Sequence, residues 1–373
     1  MKGYPMGIDI VSMEGSAKSS GMRFGEVRRR QIEAYLSEWL DSLRRAGLGE
    51  PEAYLSGMLR DTRFVDAIRE HAPDLLEHVS GIASGCGQPF ELVFAAQLMD
   101  EEWEYRRQFL GDMRSPEKCS SVAIVGRGGP TWIGQNMDLG SFTDGHQLLM
   151  RGVKSDSEPG ALIFSAGCMI GLMGVNARGI ALCVNSLPQL TAAREGVPVA
   201  FMIRKILQAH SMEEAVQTVK RLPHATGQHY LIADCDGIRS FEASATGVVE
   251  YHALDPGRVL HTNHPLTSID QRESSADDLA NTVARLNSLS ARLLRGEPGV
   301  EQIKEALSAS DDPDHPVRRV LGKDPRNLTL QMGSFTTGSM ISVLQRGAAQ
   351  INAWVSSGPP LPGDYEHVAL KKD

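Results

Sequence analysis

The chain has 373 residues, of which 41% are hydrophobic and 23% charged, and it carries a formal net charge of −8 at pH 7. That length buries a substantial apolar core, as one large domain or two ordinary ones. An acidic chain without a basic patch argues against a nucleic-acid partner. No apolar run reaches the roughly 20 residues that span a bilayer, and residues 1–20 contain no apolar signal core, so a cytoplasmic protein with no membrane partner is expected.

From Phe24 to about Asp112 the periodicity is helical. Val27, Ile32, Tyr35, Leu36, Trp39, Leu40 and Leu43 recur on one face, and Gly47 follows as a stop. Two or three further helices are predicted across about Glu52–Val79 and Pro89–Leu110. The segment GDMRSPEK, residues 111–118, is polar and turn-rich, the composition of a processing site. At Cys119 the period changes. CSSVAIVGRGGPTWIGQNMDL reads as a strand, a Gly-Gly-Pro turn and a return strand, and more strands are predicted at Gln147–Val153, Ala161–Gly167 and Ile180–Asn185. A helix over about Val197–Leu222 separates these from a second β region, residues 229–254. The run RVLHTNH, two helices across Ala276–Ser308 and a closing strand pair, residues 339–347 and 350–358, complete the chain. Helices alternating with two separate β groups predict layered α+β packing.

The five cysteines, Cys86, Cys119, Cys168, Cys183 and Cys235, are odd in number and scattered, which fits neither a disulfide framework nor paired zinc ligands. The histidines show no metal-ligand spacing, no phosphate-binding or dinucleotide loop occurs, and no cofactor is expected. That leaves the segment opening at Cys119. A cysteine freed at a chain start by cleavage needs no histidine, because its own α-amine, with an unperturbed pKa near 8, can take the thiol proton. Asn136 and Asp138 lie on what would be the return strand of the hairpin. Read from the residues alone, a strand-opening cysteine is also an ordinary packing residue. Cys86, in SGCGQ, reads as a turn before a helix, where a helix N-terminus would lower a thiol's pKa, and so competes as nucleophile. Cys168, Cys183 and Cys235 read as strand core.

With these segments, together with GVNARGIALCVNSL, QHYLIADCDGIRSFEAS, VLHTNHPL, NTVARLNSLSARLL and SMISVL…INAWVSSGPP, the chain resembles the isopenicillin N acyltransferase family. That family is related to choloylglycine hydrolases and acid ceramidases among the N-terminal-nucleophile (Ntn) cysteine hydrolases. The resemblance implies a four-layer αββα sandwich. It implies that residues 1–118 form a helical propeptide, cleaved at Lys118–Cys119 and retained, and that 119–373 form the catalytic chain, the two making a heterodimer. It places the nucleophile at Cys119, the amine-holding aspartate at Asp138, the oxyanion amides at Asn185 and Asn263 and an active-site arginine at Arg285, with Asn136 in support. Tyr230, in QHYLIAD, reads as core. The implied activity is amide hydrolysis of a small N-acylated amine, amino-acid conjugate or peptide-like metabolite; acyl transfer from coenzyme A or an amide donor to an amine acceptor is the alternative. Lys118 stands where relatives often have glycine, whose flexibility eases the N-to-S acyl shift. It keeps open a reading of another class, an unprocessed binding protein.

Overall fold

Two sheets account for the strands of the computed structural model, which describes residues 7–111, 119–152, 158–255, 257–272, 275–321 and 333–373. The first 111 residues supply β1 (Asp9–Met13) and seven helices: α1 (Ala17–Val27), α2 (Arg29–Arg45), α3 (Pro51–Asp61), α4 (Phe64–His71), α5 (Pro73–Cys86), α6 (Phe90–Ala95) and α7 (Met99–Leu110). The hairpin β2 (Ser120–Val125) and β3 (Thr131–Gly140) follows. Next come β4 (Gln147–Gly152), β5 (Ala161–Ala166), β6 (Met173–Asn176) and β7 (Ala181–Ser186). Helices α8 (Val199–Leu207) and α9 (Met212–Arg221) then lead to β8 (Gln228–Ala233), β9 (Ile238–Ser244), β10 (Gly247–Glu250) and β11 (Arg258–His261). The chain ends with α10 (Ala276–Leu293), α11 (Val300–Leu307), β12 (Ser334–Leu344), β13 (Gln350–Ser357) and β14 (Glu366–Lys371).

The eight-stranded sheet runs β1-β4-β5-β6-β7-β8-β9-β10 and the six-stranded sheet β11-β2-β3-β12-β13-β14. The inner faces of β2, β3 and β12 meet β6, β7 and β8, while α8 and α9 cover the outside of the larger sheet and α10 and α11 the outside of the smaller. This is the expected α+β, four-layer αββα sandwich. Strand alternation sorts β2 between the layers: Val122 and Ile124 enter the cluster under α10 and α11, whereas Cys119 and Ala123 enter the core between the sheets.

Several element boundaries differ from the sequence reading. The run Glu52–Val79 is broken at Thr62–Arg63 and at Ala72, where Pro73 opens α5 at its first turn. Leu98 divides the segment from Pro89 to Leu110. The helix expected over Val197–Leu222 is two, because Ser211 caps α9 by accepting the Glu214 N–H at 3.2 Å. Residues 1–118 are not helical throughout: β1 pairs in parallel with β4 as the edge of the larger sheet. Cys86 is not in a turn at a helix N-terminus but ends α5, with Gly87 in the left-handed conformation (φ 75°) as its cap, four residues before α6 opens at Phe90. Cys183 is buried in β7 as expected, and Cys168 is buried too, but in the turn after β5 and not in a strand. Cys235 sits half-buried in the turn between β8 and β9, not in a core strand.

Beside Asp138 the β3–β12 ladder carries a bulge between Thr336 and Gly338, which pair with Asp138 and Met137. Gly338 lies directly under the Phe164 ring of the opposite sheet, and a Cβ there would run into that ring and the Ser356 carbonyl. Replacing Gly338 with alanine is therefore expected to cost about 1–3 kcal/mol through overpacking between rigid layers. A lowered urea midpoint at unchanged slope would report it.

Candidate active site

Arg285 joins the expected site residues. The buried residues of α10, Asn281, Thr282, Arg285, Leu289 and Leu293, recur at helical spacing and form one stripe, so Arg285 lies in line with core leucines and is fully buried. Its guanidinium donates from Nη1 to the Cys119 carbonyl (2.6 Å) and the Ser120 hydroxyl (3.0 Å). It also donates from Nη2 to Asn263 Oδ1 (2.9 Å) and from Nε to Asn281 Oδ1 (3.0 Å). Burial pushes the Arg285 pKa down to about 10, against which Asp138 raises it. Asp138, fully buried on β3, also raises Arg319, which burial lowers. The carboxylate thus lies within electrostatic reach of two guanidinium groups, and Arg285, at about 10, stays charged at neutral pH.

Cys119 is 2% exposed, and its Sγ lies 3.5 Å from Met137 Sδ. It lines a narrow, mostly apolar pocket of about 30 Å³, walled by Met137, Leu139, Met169, Leu172, Val199 and Ile203 among others. Met99, Asp100 and Gln97, from the segment before Cys119, complete the wall. They are tied in: Gln97 donates to the Cys168 carbonyl at 3.0 Å and accepts from Ile170 N at 2.8 Å, and Gln228 donates to Asp100 at 2.6 Å. The other thiols are poor competitors. Burial raises Cys86, Cys168, Cys183 and Cys235, and Asp236 raises Cys235 further.

Asn185, fully buried on β7, accepts at Oδ1 from the Ser121 hydroxyl (2.6 Å) and hydrogen-bonds His229 Nδ1 (3.0 Å). Its Nδ2 has no hydrogen-bond partner among the described residues. Ser121 is two residues along from Cys119 and on the same strand face, about 7 Å on by the rise of a β-strand. Gln135 reaches across from β3 and clamps the Val184 peptide, donating to its carbonyl and accepting its N–H at 2.8 Å, which fixes the backbone beside Asn185. Asn263 donates from Nδ2 to the Ser186 carbonyl at 3.0 Å, which occupies one of its two amide hydrogens.

Arg285 therefore touches both the Cys119 carbonyl and Asn263, Asp138 lies within its electrostatic reach, and Ser121 links Asn185 to β2. Asn136 sits apart. Its side chain donates to the Leu307 (2.7 Å) and Val317 (3.2 Å) carbonyls and holds the end of α11 on the sheet. Lys118 lies outside the described residues. Tyr230 is core, as read, hydrogen-bonded at 3.4 Å to His224. The sequence reading missed Ser121, Gln135 and His229. Strand alternation was the available signal: Ser121 is two residues from Cys119 and shares its face, while Gln135 and His229 are one residue from Asn136 and Tyr230 and face the opposite side.

The sequence profile described as acyl-coenzyme A:6-aminopenicillanic acid acyl-transferase matches residues 125–345, more than half of the chain. The chain belongs to that family. The matched span opens just after Cys119 and contains Asp138, Asn185, Asn263 and Arg285. Among curated relatives of this acyltransferase family, the 40 kDa form of acyl-coenzyme A:6-aminopenicillanic-acid-acyltransferase from Emericella nidulans is 22% identical over 303 residues. The alignment covers 81% of this chain and 82% of that protein. Two solved structures are similar at lower identity. The N-acylethanolamine-hydrolyzing acid amidase ortholog of Caenorhabditis elegans (14% identity, TM-score 0.42) matches over 60% of this chain and 92% of its own. Penicillin V acylase of Agrobacterium tumefaciens (17%, TM-score 0.35) matches over 64% and 83%. No helix among the described residues is long and apolar enough to cross a membrane.

Proposed function

We propose that this family member is a cysteine amidohydrolase that matures by cleavage of Lys118–Cys119 and carries its acyl-enzyme on Cys119. The observation that supports this best is Asn185: a buried amide donor without a partner among the described residues, anchored through its oxygen to the nucleophile strand. A buried unsatisfied N–H costs about 1–3 kcal/mol, and an oxyanion arriving in the reaction satisfies it.

The freed α-amine, held by Asp138, takes the Cys119 thiol proton, and the thiolate attacks the substrate carbonyl. Asn185 and the second amide hydrogen of Asn263 stabilise the oxyanion. The amine then returns its proton to the leaving nitrogen as the C–N bond breaks, and water hydrolyses the thioester to the acid, regenerating the thiol. The apolar pocket beside Cys119 suits an apolar acyl group on a small N-acylated amine, amino-acid conjugate or peptide-like metabolite. Because Gln97, Met99 and Asp100 wall that pocket, residues 1–118 stay bound after cleavage and the mature protein is a heterodimer. Intact mass and N-terminal sequencing test the maturation: a fragment beginning at Cys119 is expected, and a single uncleaved chain with no turnover would favour a binding protein.

Family membership favours a second reading, in which an amine acceptor takes the acyl group from an acyl-coenzyme A or amide donor. Acyl-thioester consumption matched by amide formation, not by free acid, would replace hydrolysis with transfer.

A further inference from the structure

The proposed oxyanion role of Asn185 depends on which end of its side-chain amide faces the nucleophile. A primary amide presents an acceptor at one end and two donors at the other, nearly alike in shape, so only its neighbours decide. Those neighbours are Ser121 and His229. His229 is fully buried on β8, opposite Asn185 in the β7–β8 register. Its Nδ1 faces Asn185 Oδ1 at 3.0 Å and its Nε2 faces the Ser240 hydroxyl at 2.8 Å. Its ring stacks on His261 with centroids 3.6 Å apart and planes 10° from parallel. His261 in turn is held at both nitrogens, by the Thr262 carbonyl (2.7 Å) and the Glu242 carboxylate (3.2 Å). Glu242 itself accepts the backbone N–H groups of Leu266 and Ser268 at 2.5 and 2.6 Å.

We infer that His229 is a positioning residue: its Nδ1–H, with the Ser121 hydroxyl, holds Asn185 Oδ1 away from the reacting carbonyl and so presents the Nδ2 donor to the oxyanion. With Asn185 Oδ1 as the acceptor, the hydrogen bonds run one way, from Nδ1–H to Asn185 and from the Ser240 hydroxyl to Nε2. With the opposite tautomer the bare Nδ1 would draw the amide around, and an acceptor would meet the developing negative charge. Burial, reinforced by neighbouring His261, holds His229 well below its usual pKa, so the neutral ring with one N–H is the form present. The His261 stack fixes the ring plane, and the Glu242 bonds fix His261. Each contact restricts the next, which is how an outer layer orients a reacting group.

This inference rests on the proposed role of Asn185, and its test uses probes that do not depend on the natural substrate. Acylation of Cys119 by p-nitrophenyl acetate passes through an oxyanion; alkylation by iodoacetamide, a displacement at a saturated carbon, does not. His229→Phe keeps the ring stacked on His261 but has no donor, and His229→Asn restores an N–H near the Nδ1 position. In processed protein, His229→Phe is expected to slow acylation about 10- to 100-fold, less than loss of a donor itself, with alkylation unchanged, and His229→Asn is expected to recover most of the loss. Unchanged acylation in His229→Phe, a parallel fall in alkylation, or no recovery in His229→Asn would each overturn the positioning role. A wild type that is acylated by the ester yet turns over no amide or thioester would overturn the proposed function and leave this inference standing; one alkylated but never acylated overturns both.

Discussion

Replacing Cys119 with alanine is expected to abolish turnover, by a factor on the order of 10⁶, as loss of a covalent nucleophile does elsewhere. No other thiol can substitute. Burial raises Cys86, Cys168 and Cys183, and Cys235 lies in the β8–β9 turn with Asp236 raising it further. Cys119 alone opens a strand, lines the apolar pocket and has its carbonyl held by a buried arginine. The same variant should also remain a single chain, because an N-to-S shift has no sulfur to accept the acyl group. Intact mass checks this directly: a Cys119→Ala protein still cut at residue 118 would assign the cleavage to another protease. Iodoacetamide labelling followed by peptide mapping checks the nucleophile, with modification expected at Cys119 in the wild type and lost in the variant.

The layers of the fold were legible because they are written in local periodicity. Ile32, Tyr35, Leu36, Trp39, Leu40 and Leu43 are buried as the helical spacing requires, whereas Val27, read on the same face, ends the separate helix α1 and is exposed; the change of period at Cys119 marks the start of β2. Boundaries failed where a single residue overrode the apolar pattern, as Pro73 and the Ser211 cap did. Strand β1 could not be read: only five residues long and largely exposed, it exists because β4, far along the chain, offers it a partner. The site divides in the same way. Of the residues implied by the family resemblance, Cys119, Asp138 and Asn263 lie around Arg285 while Asn136 sits apart, but Gln135 and Ser121 act across the gap between the sheets, and His229 lies against Asn185 from the neighbouring strand. Those contacts depend on which sheet faces which and in what register, information that no window of the sequence contains. Cys86 was misread for a related reason: SGCGQ is the same string whether its cysteine lies in a turn or in the last turn of a helix, and only the helix upstream, α5, decides.

Replacing Arg285 with leucine is expected to destabilise the protein by about 3–5 kcal/mol, the range for removing one partner of a buried charge pair. The side chain is fully buried and donates to four groups, the Cys119 carbonyl, Ser120, Asn263 and Asn281. Leucine fills part of the volume and satisfies none of them. Asp138 would also lose one of the guanidinium groups that it acts on. The lowered pKa of about 10 shows that the buried charge is itself costly here. The charge is therefore kept for what it holds in place, not for a net gain in stability. It follows that Asp138→Asn should recover part of the stability lost in Arg285→Leu, whereas in the wild-type background it should destabilise. Arg285→Lys should fall between, since an ammonium presents three donors from a point and cannot span acceptors that the planar guanidinium reaches in several directions. Urea unfolding of the four proteins measures this coupling, and the kinetics separate structure from chemistry. With Asn263 Oδ1 and the Cys119 carbonyl released, acylation should fall about 10²–10³-fold, the range for losing an oxyanion donor, even in variants that remain folded at the assay temperature. An Arg285→Leu protein within about 0.5 kcal/mol of wild type, the scatter of a neutral surface change, would place this arginine outside the machinery that holds the nucleophile strand.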